Sequence, residues 1–413
     1  MIAVLEEDIY ILSARRTPLG RFNGVLSPFS ALELGGKALE GALESARVVP
    51  IEAEIVTMGC VVTAGLGEAP AKQAALAAGI PPTVYSRTVG SVCGSGMEAL
   101  VSTLDFLLLG RAQLALAGGM ESRTNAPYLL EPHFIRSGAH YAKGERLRLK
   151  KAGAYRWQYL ENLEEQARLS SIVDATTYDG LFWPLERKFM REYALAFAKA
   201  HKISLEEVNG QAALSHEKAW TAQRKGYSEE EIIFVENIKK DELPTEEVLR
   251  VMKEEAQTDM ACAYNTSTPA DNGAAVVLAT KDFIKTHRGE PLARILGYSR
   301  VDGPAADFVD SSVRALKGLF AALAEKGYAE EKFELLEINE AFGIQLPVFE
   351  HNFPGKKINV NGGAIALGHP FGSAGIRLLT TLLHAMARLG VRWGALGICF
   401  GGGGSYALAV EMI

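Results

Sequence analysis

The chain has little cysteine and no excess of positive charge. Its 413 residues include only four cysteines, Cys60, Cys93, Cys262 and Cys399, and no two of them form a C-x-x-C pair. So few cysteines in so long a chain exclude a disulfide framework, and their spacing argues against a zinc site. We therefore expect no metal site and a reducing compartment, with the cytoplasm as the default. Cys60 and Cys262 are most simply interpreted as structural.

Basic surface and membrane-spanning segments are also lacking. The net charge of −6 argues against a general affinity for nucleic acid. The apolar run over 100–116 is interrupted by Asp105 and Arg111, which predicts a core helix followed by a strand rather than a membrane span. The first ten residues carry three acidic side chains and no basic region of a secretory signal.

What the sequence does contain is an alternation of strand and helix patterns. The strand-like segments are 9–14, 54–62, 83–92, 114–118, 274–279, 292–298, 335–338 and 395–398. The helical segments are 31–45, 70–78, 203–225, 311–324 and 376–389. Between about 121 and 260 the apolar periodicity weakens and charge rises, although Ser204 and Glu207 form a capping signature for the helix there. These patterns predict α/β layers with an inserted segment.

The two ends of the chain repeat one local pattern. Cys93-Gly-Ser-Gly precedes a helix and then a strand, and His369-Pro-Phe-Gly-Ser-Ala-Gly does the same near the carboxyl end. This predicts a duplicated α/β unit with Cys93 and His369 at corresponding helix starts.

Three residues in glycine-rich surroundings have the character of catalytic groups: Cys93, His369 and Cys399. Glycine tolerates positive φ and allows the backbone to approach a ligand closely. A helix start lowers the pKa of a thiol, and a histidine can carry protons near neutral pH. The glycines at 401–404 would present the backbone N–H groups that an oxyanion hole needs.

Taken together, these segments resemble the thiolase family over nearly the whole chain. The motifs that carry the resemblance are Ala14-Arg-Arg-Thr-Pro-Leu-Gly-Arg-Phe, Ala117-Gly-Gly-Met-Glu-Ser, Ala126-Pro-Tyr, Asp179-Gly-Leu, Asp271-Asn-Gly-Ala-Ala, Asn339-Glu-Ala-Phe, Gly368-His-Pro and Cys399-Phe-Gly-Gly-Gly. No single motif is specific, but their combination in this order is.

The resemblance implies a fold and its division into domains. The expected fold is a duplicated, layered α/β/α/β/α core with an inserted loop domain. The amino-terminal half would comprise 1–121 and 262–290, and the carboxyl-terminal half 291–413. The loop domain, 122–261, would cap the site for coenzyme A.

The resemblance also implies a two-step Claisen exchange on coenzyme A thioesters, with coenzyme A as a substrate and no permanently bound cofactor. Cys93 would be the acylated nucleophile, deprotonated by His369. Cys399 would move a proton to or from the α-carbon of the second thioester. Asn339 would orient a water that binds the enolate oxygen together with His369. The N–H groups of Cys93 and Gly401 would form the other oxyanion hole.

Substrate contacts follow less directly. Ser267, Met190, Ala341 and Phe342 match positions that line the pantetheine tunnel in the family, although ordinary core packing is an alternative for Met190 and Phe342. The chain departs from the family pattern near the coenzyme and acyl pockets, while the catalytic set is intact. The departures are Gly90, Phe189, Tyr264 and the segments 241–263 and 303–310.

The sequence also leads to expectations about the partners of the protein and about competing functions. The resemblance implies a homodimer or homotetramer, and a partner subunit in a fatty-acid oxidation complex is a further expectation. The basic stretch at 140–170 would be either a solvated face or a surface for coenzyme A phosphates or a partner. A decarboxylating ketoacyl synthase is disfavoured by Cys399. A non-catalytic lipid-carrier protein on a thiolase scaffold is disfavoured because Cys93, His369 and Cys399 are all present.

Overall fold

The computed structural model describes residues 1–130, 172–245, 258–286 and 289–413. The basic stretch at 140–170 lies outside them. The strands are β1 (Ile2–Arg16), β2 (Gly20–Arg21), β3 (Ile55–Gly59), β4 (Tyr85–Val89), β5 (Leu114–Ser122), β6 (Tyr128–Leu130), β7 (Ile172–Asp174), β8 (Phe182–Trp183), β9 (Lys188–Phe189), β10 (Ala270–Thr280), β11 (Ala293–Val301), β12 (Leu335–Ile338), β13 (Lys357–Ile358), β14 (Trp393–Phe400) and β15 (Gly404–Met412). The helices are α1 (Ala31–Ala46), α2 (Pro70–Ala77), α3 (Ser95–Leu108), α4 (Ala175–Leu181), α5 (Met190–His201), α6 (Leu205–Arg224), α7 (Lys281–Thr286), α8 (Phe308–Ala324), α9 (Gln345–Asn352), α10 (Ala364–Leu367) and α11 (Ala374–Leu389).

The main strands form two sets with the same internal order. One set runs β4-β3-β5-β10-β1, the other runs β13-β12-β14-β15-β11, and antiparallel pairing of β1 with β11 joins them. In each set the first three strands are parallel, and the fourth and fifth are each antiparallel to the neighbour before them. Each strand of one set therefore has a counterpart in the other, which confirms the predicted duplication.

Helices separate and cover the two sets of strands. Helices α3 and α11 contact each other in the middle of the molecule, and α11 contacts strands of both sets. Helices α1 and α2 cover the outer face of the first set, and α8 covers the outer face of the second. The result is the expected five-layered α/β/α/β/α arrangement.

The continuous apolar sequence of β10 follows from its position between two layers of helices. Val276 and Leu278 pack in the inner core, which α11 shares. Val277 and Ala279 point the other way and pack against the outer helix α1. Because successive side chains of a strand alternate between faces, a strand buried on both faces has no polar positions in its centre.

Strand β1 is longer than the pattern of 9–14 predicts. It begins at Ile2, and its first residues pair with β11. The register of this pairing shifts between Val4 and Ile9, so the acidic residues between them interrupt the apolar pattern without ending the strand.

The segment between β5 and β10 forms the predicted insertion. Its longest described helix, α6, begins with the expected capping box of Ser204 and Glu207. A buried ionic contact ties the insertion to β1: Arg16 donates to Asp241 Oδ1 at 2.6 Å and to Glu231 Oε1 at 3.0 Å. Within the described ranges, no helix is both long enough and apolar enough to cross a membrane.

Candidate active site

Cys93 lies in a tight turn between β4 and α3. The preceding residue, Val92, has a φ of 45°, which is unfavourable for a β-branched side chain. Ser95 holds the turn, because its Oγ donates to the carbonyl oxygen of Val92 at 2.6 Å and accepts the N–H of Ser91 at 2.9 Å. Strain of this kind is kept where the surrounding structure fixes it, and here it sets the position of Cys93.

His369 occupies the corresponding turn of the second half, between β13 and α11. Gly368 has a φ of 96°, and a Cβ there would lie 2.6 Å from the Cβ of Ala270, so only glycine fits. The backbone N–H of His369 donates to the carbonyl oxygen of Thr268 at 2.7 Å. Both ring nitrogens are buried and have no hydrogen-bond partner among the described residues. They are therefore available to a substrate or to a neighbouring thiol.

Cys399 lies near the end of strand β14, and the glycine-rich turn that begins at Gly401 follows it. Nε2 of Gln345 donates to the sulfur of Cys399 at 3.2 Å. Asn339 follows β12, and its backbone N–H donates to the carbonyl oxygen of Gly397 at 2.9 Å. Its buried side-chain amide has no hydrogen-bond partner of normal geometry among the described residues. Sequence reasoning missed Gln345, because nothing local marks a contact with a distant strand.

A single cavity of about 290 Å³ brings most of these groups together. The residues selected from the sequence that line it are Cys93, His369, Cys399, Gly401, Ser267, Met190, Ala341 and Phe342. Asn339 does not line the cavity and lies beside the thiol of Cys399 instead. Two arginines that the sequence analysis did not select, Arg123 and Arg191, also line the cavity.

The cavity wall is built from loops of both halves and of the insertion. Ser267 donates to the carbonyl oxygen of Ala341 through its backbone N–H at 3.1 Å and through its hydroxyl at 3.0 Å. Pro269 pairs with His369 in an isolated bridge. These contacts link the loop before β10 to the loops after β12 and before α11.

Burial decides the protonation of the central groups. It raises the pKa of Cys93, and the neighbouring Cys399 adds to the rise, while Arg123 and the backbone N–H groups of Gly401 and Cys93 itself oppose it. The expected lowering by the helix start is therefore outweighed. Burial also raises the pKa of Cys399, against contributions from Gln345 and Asn339.

The pKa of the His369 imidazole shifts in the opposite direction. Burial lowers the pKa of His369 to about 3, and the cations Arg123 and Arg377 add to this effect. The resting site therefore holds neutral thiols and a neutral imidazole. Such an imidazole is free to accept a proton from a thiol.

Two models of known protein families match the sequence of this chain. The model described as "Thiolase, N-terminal domain" matches residues 9–282, and the model described as "Thiolase, C-terminal domain" matches residues 289–412. The chain belongs to the thiolase family.

Three relatives illustrate how this thiolase compares with known proteins. It is 35% identical to acetyl-CoA acetyltransferase of Cupriavidus necator, with 98% of this chain and 99% of that protein covered. It is 31% identical to acetyl-CoA acetyltransferase of Schizosaccharomyces pombe, with 99% and 100% covered. The structure of human mitochondrial 3-ketoacyl-CoA thiolase in complex with CoA matches with a TM-score of 0.85 and 29% identity, over 100% of both chains. The predicted family, fold class and acyltransferase class are confirmed, and the two alternative functions are not favoured.

Proposed function

We propose that this thiolase cleaves 3-ketoacyl-CoA with coenzyme A, or runs the reverse Claisen condensation, through an acyl group on Cys93. The observation that carries the proposal is the presence of two thiols in one cavity, with a neutral imidazole beside them. One thiol can hold the acyl group while the other exchanges a proton with carbon. A site with a single thiol would lack the second of these functions.

In the direction of cleavage, Cys93 Sγ attacks the 3-keto carbonyl and gives its proton to His369. The bond between C2 and C3 then breaks, leaving the acyl group on Cys93 and the electron pair on C2 of the departing thioester. Cys399 supplies the proton that C2 takes up. The N–H groups of Cys93 and Gly401 are proposed to stabilise the carbonyl oxygen when it becomes negative.

Before the second half-reaction, His369 returns the proton that it took from Cys93 to the thiolate of Cys399. The thiol of coenzyme A then attacks the acyl group and passes its own proton to His369. The bond to Cys93 then breaks, and the sulfur of Cys93 recovers its proton from His369. Asn339 is proposed to orient a water toward the enolate oxygen of the first step, because its buried amide has no hydrogen-bond partner of normal geometry among the described residues. Gln345, which donates to Cys399, would hold that thiol in place.

Coenzyme A is proposed as a substrate that enters along Ser267, Met190, Ala341 and Phe342. Its presence in the human structure supports this choice. Phe189 lines the same cavity, so the departure from the family pattern at this position lies where it would contact substrate. The limits of the three domains remain a prediction.

We also propose an oligomeric state and a cellular compartment for the protein. We expect a homodimer or homotetramer, as symmetric assemblies are common, and a partner subunit if the enzyme serves fatty-acid oxidation. A reducing compartment such as the cytoplasm is proposed because all four cysteines are free and two are needed as thiols.

Mass spectrometry of the intact protein tests the two thiols separately. After incubation with an acyl-CoA, the wild type should carry one acyl adduct and Cys93→Ala none. Cys399→Ala should still form the adduct but lose carbon–carbon bond formation and cleavage. An adduct on the Cys93 variant would remove Cys93 from its role. Loss of both half-reactions in the Cys399 variant would indicate a structural role for that thiol.

A further inference from the structure

Arg123 is a buried cation in the wall of the active-site cavity. It follows β5 directly and is only 4% exposed. Its Nε donates to Oγ1 of Thr176 at 2.8 Å. Its guanidinium carbon lies 3.9 Å from the centre of the Phe371 ring, and this ring packs edge-on against His369. These contacts hold the guanidinium in one orientation beside the reacting groups.

No carboxylate of the described residues forms an ion pair with Arg123. The carboxylates whose charges raise the pKa of Arg123 accept hydrogen bonds from other groups. Glu121 accepts the backbone N–H of Gly372, Asp174 caps α4, and Asp271 accepts the N–H of Thr124. Burial lowers the pKa of Arg123 to about 10, so the side chain remains charged near neutral pH. An unpaired buried cation is costly, and an anionic ligand would offset that cost.

The second arginine of the cavity differs in this respect. Arg191 is half exposed, and its Nη2 lies 2.8 Å from Oδ1 of Asp259. Its Nε donates to the carbonyl oxygen of Ala261 at 3.1 Å. Arg191 therefore has its own carboxylate, whereas the two terminal nitrogens of Arg123 form no hydrogen bond to the described residues and remain available to a ligand.

We propose that Arg123 binds a carboxylate at the far end of the acyl group, so that the preferred substrates are 3-ketoacyl-CoA thioesters of dicarboxylic acids. The inference rests on the proposed function, because the acyl group on Cys93 occupies the same cavity as Arg123. The two free nitrogens of a guanidinium match the two oxygens of a carboxylate. The alternative, that Arg123 only stabilises the thiolate of Cys93, would affect every substrate equally.

The test compares matched pairs of 3-ketoacyl-CoA thioesters of increasing chain length. The members of a pair have the same number of carbons and differ only in whether the last carbon is a methyl or a carboxylate. The wild type should favour the carboxylate member in kcat/KM by on the order of 10-fold or more at the best length. Arg123→Met should reduce this ratio by on the order of 10- to 100-fold, and Arg123→Lys by less.

Arg191→Met is the matched control and should keep the wild-type ratio. A wild type that favours the methyl member at every length would overturn the proposal, whatever the variants do. A loss in Arg123→Met that is equal for both members would overturn it in favour of the thiolate role. Failure of the proposed function itself would look different, since no thioester would then leave an acyl adduct on Cys93.

Discussion

At the scale of single residues, burial sets the chemistry of the site. The pKa of Cys93 is raised and that of His369 is lowered to about 3, so proton transfer starts from two neutral groups. Cys93, His369 and Cys399 could be selected from the sequence because glycines mark the turns around or after them. Gln345 and Arg123 could not, because their importance depends on contacts with residues far away in the chain.

The acylation of Cys93 should be nearly independent of pH between about 5 and 8. His369 must be neutral to accept the proton, and its lowered pKa keeps it neutral as the pH falls through the ordinary histidine value of about 6.5. The raised pKa of Cys93 keeps that group a thiol over the same range. Single-turnover acylation rates measured across this range check the prediction. A rate that falls with an apparent pKa near 6.5 would contradict it.

At the scale of helices and strands, close backbone approach positions the catalytic loops. In β5, a Cβ added to Gly119 would lie 2.2 Å from the carbonyl oxygen of Gly372, in the turn that follows His369. Glu121, two residues further on, accepts the N–H of the same Gly372. Strand β5 therefore supports the turn that carries His369, the proposed base. The sequence predicted the strand, but its end was placed too early, since its last residues serve the site rather than an apolar pattern.

Gly119→Ala should lower the free energy of unfolding by about 1–3 kcal/mol, since backbone must move to accept the methyl group. It should also lower turnover, because the turn bearing His369 is displaced. Denaturant titration and steady-state rates measure the two effects. Gly210→Ala in α6 is the control: the space around it is open, so stability should rise by roughly 0.5–1 kcal/mol. Equal stability of the two variants would show that the contact at Gly119 is relieved without cost.

At the scale of the whole molecule, the fold depends on pairings that local patterns do not reveal. The type of many of the longer elements followed from apolar periodicity, and the duplication followed from the two similar turns, but the long strand β15 and the helix α5 were not predicted. The joining of the two sets through β1 and β11 could not be predicted, because no local signal specifies which distant strands pair. The attachment of the insertion through Arg16 was equally hidden, since its two carboxylate partners lie in that distant segment.

Arg16→Met should destabilise the protein by about 3–5 kcal/mol, because Glu231 and Asp241 would be left buried without their cation. Arg21→Met is the control, since Arg21 is 55% exposed in its pair with Glu242. That change should cost only about 0–1 kcal/mol. Chemical unfolding of both variants gives the comparison. A similar small loss for both would mean that the insertion is held in place by other contacts.

The equivalence of the two strand sets has a consequence for splitting the chain. A cut between β10 and β11 would leave Cys93 on one fragment and both His369 and Cys399 on the other. Each fragment would also expose its share of the apolar layer that α3 and α11 form between the sets. Neither piece could turn over substrate by itself. The activity of a mixture of the two fragments would therefore measure the fraction of molecules in which the fragments had reassembled.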